Sequence, residues 1–357
     1  MKNLIVPMAG KSSRFPGTRP KWMLTHPKSG IFMCIESILG LNLDFFDRIF
    51  FVILKDHEDT YQASQGIKKS LSYSGLSKEI ISRCEIVILE SPTKSQSETI
   101  FECIKKKSIK EFIFIKDSDG FFKFDVLGEE NQVVYYDLNK MGEVEAKSKS
   151  YIQTDSNGII TNMVEKKVIS SKFCVGGYGF KSAESFCRFY ERLKDLPGEC
   201  FVSNVIFEMI LEEFPFLSVE ARDFIDWGTL KSWNDYKSEF KTLFLDLDGT
   251  LVSNTSHLVP PFIGDSYPLE ENIKCVKNLY SSGKCKIIIT TSRPEEYREE
   301  TIGEMEKYGI PFDLLIMGLP HSQRILVNDF SSTNPFPSCS SINVERNSND
   351  LQNYLNK

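Results

Sequence analysis

The sequence has no Cys-x-x-Cys pair, no block of Lys or Arg, no low-complexity tract, no internal repeat and no apolar run approaching a membrane span. Its nine cysteines, at 34, 84, 103, 174, 187, 200, 275, 285 and 339, are odd in number and scattered, which fits neither a disulfide framework nor a zinc site. They are expected to be reduced, mostly buried thiols of a cytoplasmic protein. The opening Met1-Lys2-Asn3-Leu4-Ile5-Val6-Pro7 is too short an apolar run for a signal peptide. With 43 Lys+Arg against 49 Asp+Glu the net charge is −6, and no basic stripe is present for a phosphodiester backbone. Nucleic acid and membrane are therefore excluded as primary partners, whereas small anions, which a few cations can hold, stay open. The four histidines, His26, His57, His257 and His321, share no spacing and are expected to be structural or surface residues.

What is present is an ordinary globular composition, 41% hydrophobic, 12% aromatic and 26% charged, over 357 residues, enough for two domains. Short β-branched and aromatic runs alternate with amphipathic stretches, which predicts α/β layering. The expected buried strands are Leu4–Met8, Ile49–Leu54, Glu85–Leu89, Phe112–Ile115, Thr242–Leu247 and Lys286–Thr290, with helices at Ser97–Ser108, Ala183–Leu193 and Tyr297–Tyr308. Each strand runs into a loop of Gly, Asp, Ser or Thr, and such loops gather where parallel sheets bind ligands. A polar, helical-looking segment from Trp233 to Lys241 precedes a fresh apolar strand, so a boundary is expected at about 238–241, giving domains 1–240 and 241–357. Trp227 and Trp233 are expected to pack on the last helix of the first.

After the first strand comes Met8-Ala9-Gly10-Lys11-Ser12-Ser13-Arg14-Phe15, then Arg19-Pro20-Lys21. Small residues let backbone N–H groups approach an anion, and Arg14 and Lys21 can add charge-assisted bonds to phosphates. Ala9-Gly10-x-x-Ser13-Arg14-Phe15 with Arg19-Pro20-Lys21 resembles the signature of the sugar-phosphate nucleotidyltransferases, with Ser12 where that family has Gly. Further matches follow in the same order over about residues 1–236. Thr93-Lys94-Ser95-Gln96-Ser97-Glu98-Thr99 resembles the stretch that holds the nucleobase, and Asp117-Ser118-Asp119 the first metal-carboxylate loop. Val164-Glu165-Lys166 and Gly176-Gly177-Tyr178-Gly179-Phe180 resemble the sugar-phosphate site, and Asp226-Trp227-Gly228-Thr229 the second metal carboxylate.

That resemblance implies a mixed-sheet, Rossmann-like (GT-A-like) fold and transfer of a nucleotidyl group to a sugar or polyol phosphate. Arg14 and Lys21 would hold the triphosphate, with Met8, Ala9, Gly10, Lys11, Ser12, Ser13, Gln96 and Ser97 around the nucleotide. Mg²⁺ on Asp119 and Asp226 would bridge it to the acceptor, with Asp117 as turn former or helper. Lys166 would orient the acceptor phosphate, and Glu165, Gly177 and Tyr178 the sugar. CTP is the first expectation for the nucleotide and GTP the second. A homo-oligomer is left open.

In the second half, Leu243-Phe244-Leu245-Asp246-Leu247-Asp248-Gly249-Thr250-Leu251 sets two carboxylates two apart on a strand, on one face at its carboxyl end. Such a pair suits a metal and a nucleophile. The string resembles the first motif of the haloacid dehalogenase superfamily of phosphohydrolases, and the resemblance covers about 241–350. It implies Asp246 as nucleophile, Asp248 as general acid and base, and a phosphate monoester as substrate. Ile287-Ile288-Ile289-Thr290-Thr291-Ser292-Arg293-Pro294 resembles the second motif, with Thr291 on the phosphoryl group. Arg324 is the candidate for the third-motif cation. Ile325-Leu326-Val327-Asn328-Asp329 resembles the last motif, so that Asp329 would join Asp246 and Asp248 on Mg²⁺. Only about 40 residues separate Asp248 from Thr291 and about 37 separate Thr291 from Asp329, leaving little room for a cap domain. A bifunctional enzyme of surface-polysaccharide precursor synthesis is the resulting expectation. The alternative is a nucleotide-sugar-binding regulatory or scaffold protein in which only the phosphatase turns over.

Overall fold

In the computed structural model, residues 1–10, 15–141, 149–254, 266–329 and 338–355 are described. The chain divides into two compact units, Met1–Trp233 and Asn234–Lys357.

In the first unit the strands are β1 (Asn3–Pro7), β2 (Arg48–Leu54), β3 (Cys84–Leu89), β4 (Ile113–Lys116), β5 (Gly120–Lys123), β6 (Gln132–Asp137), β7 (Ser150–Thr154), β8 (Ile160–Glu165), β9 (Lys172–Phe180), β10 (Leu217–Glu220) and β11 (Arg222–Asp226). The main sheet runs β10-β6-β9-β4-β1-β2-β3, with the β7–β8 hairpin attached through β9, and β5 and β11 form a separate antiparallel pair. Strands β3, β2, β1 and β4 are mutually parallel, and β9 runs antiparallel to both β4 and β6. The fold is thus mixed α/β, as the alternation of runs predicts.

Why the parallel strands read as unbroken apolar runs is visible in their packing. Ile5, Phe50, Val52, Leu54, Ile113 and Ile115 enter one buried cluster, while Leu4, Val6, Ile49, Phe51, Ile53, Phe112 and Phe114 enter another. Successive side chains point to opposite faces, so a strand covered on both sides must be apolar at every position. Helices Gln96–Lys107, Ala183–Leu193 and Val202–Leu211 cover the first face, and Met33–Ile38 and Ala63–Tyr73 the second. Helix Gln96–Lys107 starts where the Ser95 hydroxyl accepts from the Glu98 N–H at 3.2 Å, a side-chain cap that fixes its first turn.

The segment expected to be helical from Trp233 begins earlier, at Leu230, because Thr229 and Ser232 cap it reciprocally, and it ends at Ser238. Trp227 lies ahead of that helix rather than on it, packed edge-on against Trp233 at 5.8 Å. No helix among the described residues is long and apolar enough to cross a membrane. All nine cysteines are free, five of them buried; burial pushes the Cys84 and Cys103 thiols up to about 12, which makes them poor nucleophiles.

In the second unit, β12 (Lys241–Asp246), β13 (Cys285–Thr290) and β14 (Leu314–Ile316) form a parallel sheet in that order, packed with helices Glu270–Ser281, Arg298–Tyr308 and Leu351–Leu355. No strand forms at Ile325–Asp329, the segment that resembles the last motif. Ile325, Leu326 and Val327 are 75%, 50% and 92% exposed. Three apolar residues in a row carry no periodicity, so the run alone does not specify pairing.

His57, on helix Lys55–Tyr61, is buried 5.8 Å from the Trp22 ring, and its Nδ1 has no hydrogen-bond partner among the described residues. Burial holds its pKa below the ordinary value, against the pull of Asp56. Burial does the same to His26, against Glu36. At these two histidines the unfolded chain therefore takes up protons that the folded one resists, so their contribution to stability is complete above about pH 6.5 and lost as pH falls below it. We expect the melting temperature of His57→Phe to rise relative to wild type as pH falls from about 7 to 5; a difference between the two that does not change with pH would contradict the assignment.

Candidate functional site

The carboxyl ends of β1 and β4, the amino end of helix Gln96–Lys107, and the ends of β8 and β11 open onto one cavity of about 970 Å³. Its wall is polar and charged, with Lys21, Gln96, Asp117, Asp119, Lys166 and Asp226 among the lining side chains.

The floor is the turn between β4 and β5. Lys116 points into the interior, fully buried, and its ammonium donates at 2.7 Å to the carbonyls of both Asp117 and Gly120, with the Phe122 ring 4.4 Å away. Burial lowers the Lys116 pKa to about 8, opposed by Asp117 and Asp119. The Asp117 N–H donates to Gly176 at 2.8 Å, and its carboxylate accepts from Gln96 Nε2. Burial, then the Asp119 charge, raises the Asp117 carboxyl to about 6, against Lys116, Gln96 and Lys21. Gly176 sits at φ +81°, and a Cβ there would lie 2.6 Å from that of Asp117, so only glycine lets β9 approach the turn. Asp119 pairs with Lys21.

Asp226, the last residue of β11, is the cross-strand neighbour of Gly120, and the Trp227 N–H donates to the Asp119 carbonyl at 2.9 Å. The two expected metal carboxylates thus meet at one end of the β5–β11 pair, Asp226 on β11 and Asp119 in the turn one residue before β5. Asp226 accepts from Gly228 N–H at 2.9 Å and from Lys149 at 2.5 Å. As hard oxygen donors they suit Mg²⁺, which binds through one or two carboxylates plus phosphates and water. At the end of β8, Glu165 accepts from the hydroxyls of Ser150 and Ser203, the latter at 2.7 Å. Lys166 takes a left-handed φ of +57° and lays its ammonium over the Phe201 ring, 4.3 Å from its centroid.

The cavity wall includes Met8, Gly10, Lys21, Gln96, Asp119, Glu165, Lys166, Tyr178 and Asp226. Lys11, Ser12, Ser13 and Arg14 lie outside the described residues. Three expected positions face elsewhere. Ala9 is buried in the core cluster, and Ser97 is buried on the first turn of its helix. Gly177 alternates away, and a Cβ there would meet Val134 and Phe122 at 2.7 and 2.8 Å; of the two neighbouring glycines it is Gly176 that lies on the wall. Lys116, Lys149 and Ser203 were not anticipated. The turn signal Asp155-Ser156-Asn157-Gly158 between two alternating runs announces the β7–β8 hairpin, which sets Lys149 opposite Lys166.

In the second unit, β12 ends at Asp246 and the chain turns: the Leu251 and Val252 N–H groups donate back to the Leu247 carbonyl, the Gly249 N–H donates to the Val252 carbonyl, and Gly249 takes φ +91°. Asp248 therefore lies beyond the strand that was expected to carry both carboxylates on one face, and the two take different partners. Asp246 pairs with Arg324 at 2.9 Å, and burial raises its pKa against that guanidinium. Asp248 accepts from Thr291 Oγ1 at 2.9 Å and from Arg293 Nε and Nη2 at 3.0 and 2.7 Å. Arg293 is buried and also binds Glu304 at 2.5 Å. Asp329 is exposed, on the segment that forms no strand, and no group of three His, Cys, Asp or Glu able to hold a metal occurs among the described residues. The expected trio of Asp246, Asp248 and Asp329 is not assembled.

No family model and no curated protein matches the chain. Solved structures do. A nucleoside-diphosphate-sugar pyrophosphorylase from Vibrio cholerae RC9 is similar over 66% of this chain and 99% of its own, at 20% identity and a TM-score of 0.54. An inositol-1-phosphate CTP transferase from T. maritima is similar over 66% and 94%, at 11% identity and 0.50. A UDP-glucose pyrophosphorylase complexed with UDP-glucose is similar over 67% and 97%, at 14% identity and 0.51. At these identities the likeness establishes a nucleotidyltransferase-type fold for about two thirds of the chain.

Gly176→Ala tests the close approach of β9 to the turn. Strain at a positive φ and the collision with Asp117 are expected to cost about 1–3 kcal/mol, read from the urea midpoint; an unchanged midpoint would contradict that packing.

Proposed function

We propose that the first unit transfers a nucleotidyl group from a nucleoside triphosphate to a sugar or polyol phosphate and releases pyrophosphate. The observation that carries this reading is the convergence of Lys21, Asp119, Lys166 and Asp226 on one cavity, from the ends of four chain segments remote in sequence. Attack of a phosphate oxygen on the α-phosphorus gathers negative charge on crowded oxygens, so the protein's work is positioning and neutralisation. Lys21 serves the triphosphate. Lys166, its ammonium fixed over Phe201, holds the acceptor phosphate. Glu165, oriented by two hydroxyls, accepts from a sugar hydroxyl. Asp119 and Asp226 hold Mg²⁺, which supplies charge neutralisation when bound. CTP is the favoured nucleotide and GTP the second; a CTP transferase among the similar structures supports the first.

For the second unit we propose hydrolysis of a phosphate monoester in the same pathway, one that supplies surface-polysaccharide precursors. Asp246, beside Arg324, is the nucleophile, and Asp248, with Thr291 at hand, is the acid and base. Asp329 has no part in this reading.

Pyrophosphate release over four nucleoside triphosphates and a panel of sugar and polyol phosphates tests the first activity, and no release with any pair would leave the scaffold alternative standing. Lys21→Ala is expected to lower kcat/KM about 100-fold or more and leave phosphate release intact. Asp246→Asn is expected to abolish phosphate release and leave pyrophosphate release intact. Loss of both activities from either change would overturn the two-site scheme.

A further inference from the structure

The cavity holds a cation that the reaction as proposed does not use. Lys149 stands one residue before β7, and its carbonyl accepts from the Lys166 N–H at 2.9 Å, continuing the register that pairs Ser150 with Glu165. Two lysines therefore leave neighbouring strands at the same end of the hairpin, and both line the cavity. Their ammonium groups are engaged differently. That of Lys166 lies over Phe201, whereas that of Lys149 binds Asp226 Oδ2 at 2.5 Å. The pair is 16% and 22% exposed, so water screens it only in part. With Gly228 N–H on Oδ1, both oxygens of Asp226 are occupied, one by a positive charge placed where a divalent cation would have to bind.

We propose that Lys149 is an exchangeable counter-ion and a second acceptor-phosphate residue. Before ligands arrive it neutralises Asp226, on the strand paired with the turn that carries Asp117 and Asp119. A divalent metal on Asp226 repels the ammonium and takes its place. The freed side chain, on the strand beside Lys166, then shares the acceptor's phosphate, whose two negative charges match two ammonium groups better than one. The phosphate role rests on the nucleotidyl-transfer reading; the exchange on Asp226 does not.

Free Mn²⁺, read by its paramagnetic resonance signal on the full chain, is the probe. Lys149→Met is expected to bind Mn²⁺ alone about tenfold more tightly than wild type, while Lys149→Arg, which keeps the charge, stays close to wild type. In an Asp226→Asn background the effect of Lys149→Met should vanish, which separates this site from any Mn²⁺ held by the second unit. In turnover, Lys149→Met should raise KM for the acceptor phosphate about tenfold with KM for the nucleotide unchanged, a split that general loosening would not produce. Should the Met variant fail to fold, Lys149→Gln carries the same expectation. Equal Mn²⁺ affinity with and without the Lys149 charge would overturn the exchange, and an unchanged acceptor KM the phosphate role. Absence of pyrophosphate release from wild type would overturn the phosphate role and the transfer reading, and the Mn²⁺ result would still decide the exchange.

Discussion

A buried ammonium organises the first unit's cavity. Among the described residues no acidic side chain binds Lys116 in its interior position; its donors go to the carbonyls of Asp117 and Gly120, which clamps the two ends of one tight turn. Interior charge is tolerated when hydrogen bonds replace water, and the turn so held presents Asp117 and Asp119 to the cavity. Gly176, Gln96, Lys21 and the Trp227 N–H all meet that turn, so β9, the helix after β3, the loop after β1 and the end of β11 take their positions from it.

The cavity is also balanced in charge. Asp119 faces Lys21 and Asp226 faces Lys149. Carboxylates gathered at one turn would repel one another if left bare, and the Asp117 carboxyl is raised to about 6 first by burial and then by the Asp119 charge. Lysines suit such a site because an ammonium on a flexible stem can exchange one anion for another, which the planar fork of an arginine does less readily.

The second unit shows the contrasting arrangement. Arg293 binds Asp248 through two nitrogens and Glu304 through a third, with almost no exposure. That triad fixes Asp248 rigidly, since breaking a buried ion pair leaves an uncompensated charge. Asp246 by contrast is only partly covered and meets the half-exposed Arg324.

What the sequence determined by itself is the set of elements. Apolar runs such as Ile49–Leu54 and Ile113–Ile115 had to be strands covered on both faces, and the helix spacing over Ala183–Leu193 was met to the residue, because burial on one or two faces leaves a periodic trace in the chain. The residues with unusual chemistry, Lys21, Asp119, Lys166, Asp226, Asp246 and Asp248, were legible as motifs. Tertiary structure decided who meets whom. Lys149 opposite Lys166, Gly176 rather than Gly177 against Asp117, Ser97 turned inward and Arg293 on Asp248 all depend on register and packing between segments far apart in the chain. The run Ile325–Val327 makes the same point in reverse, since an apolar triplet becomes a strand only when a neighbour supplies its hydrogen bonds.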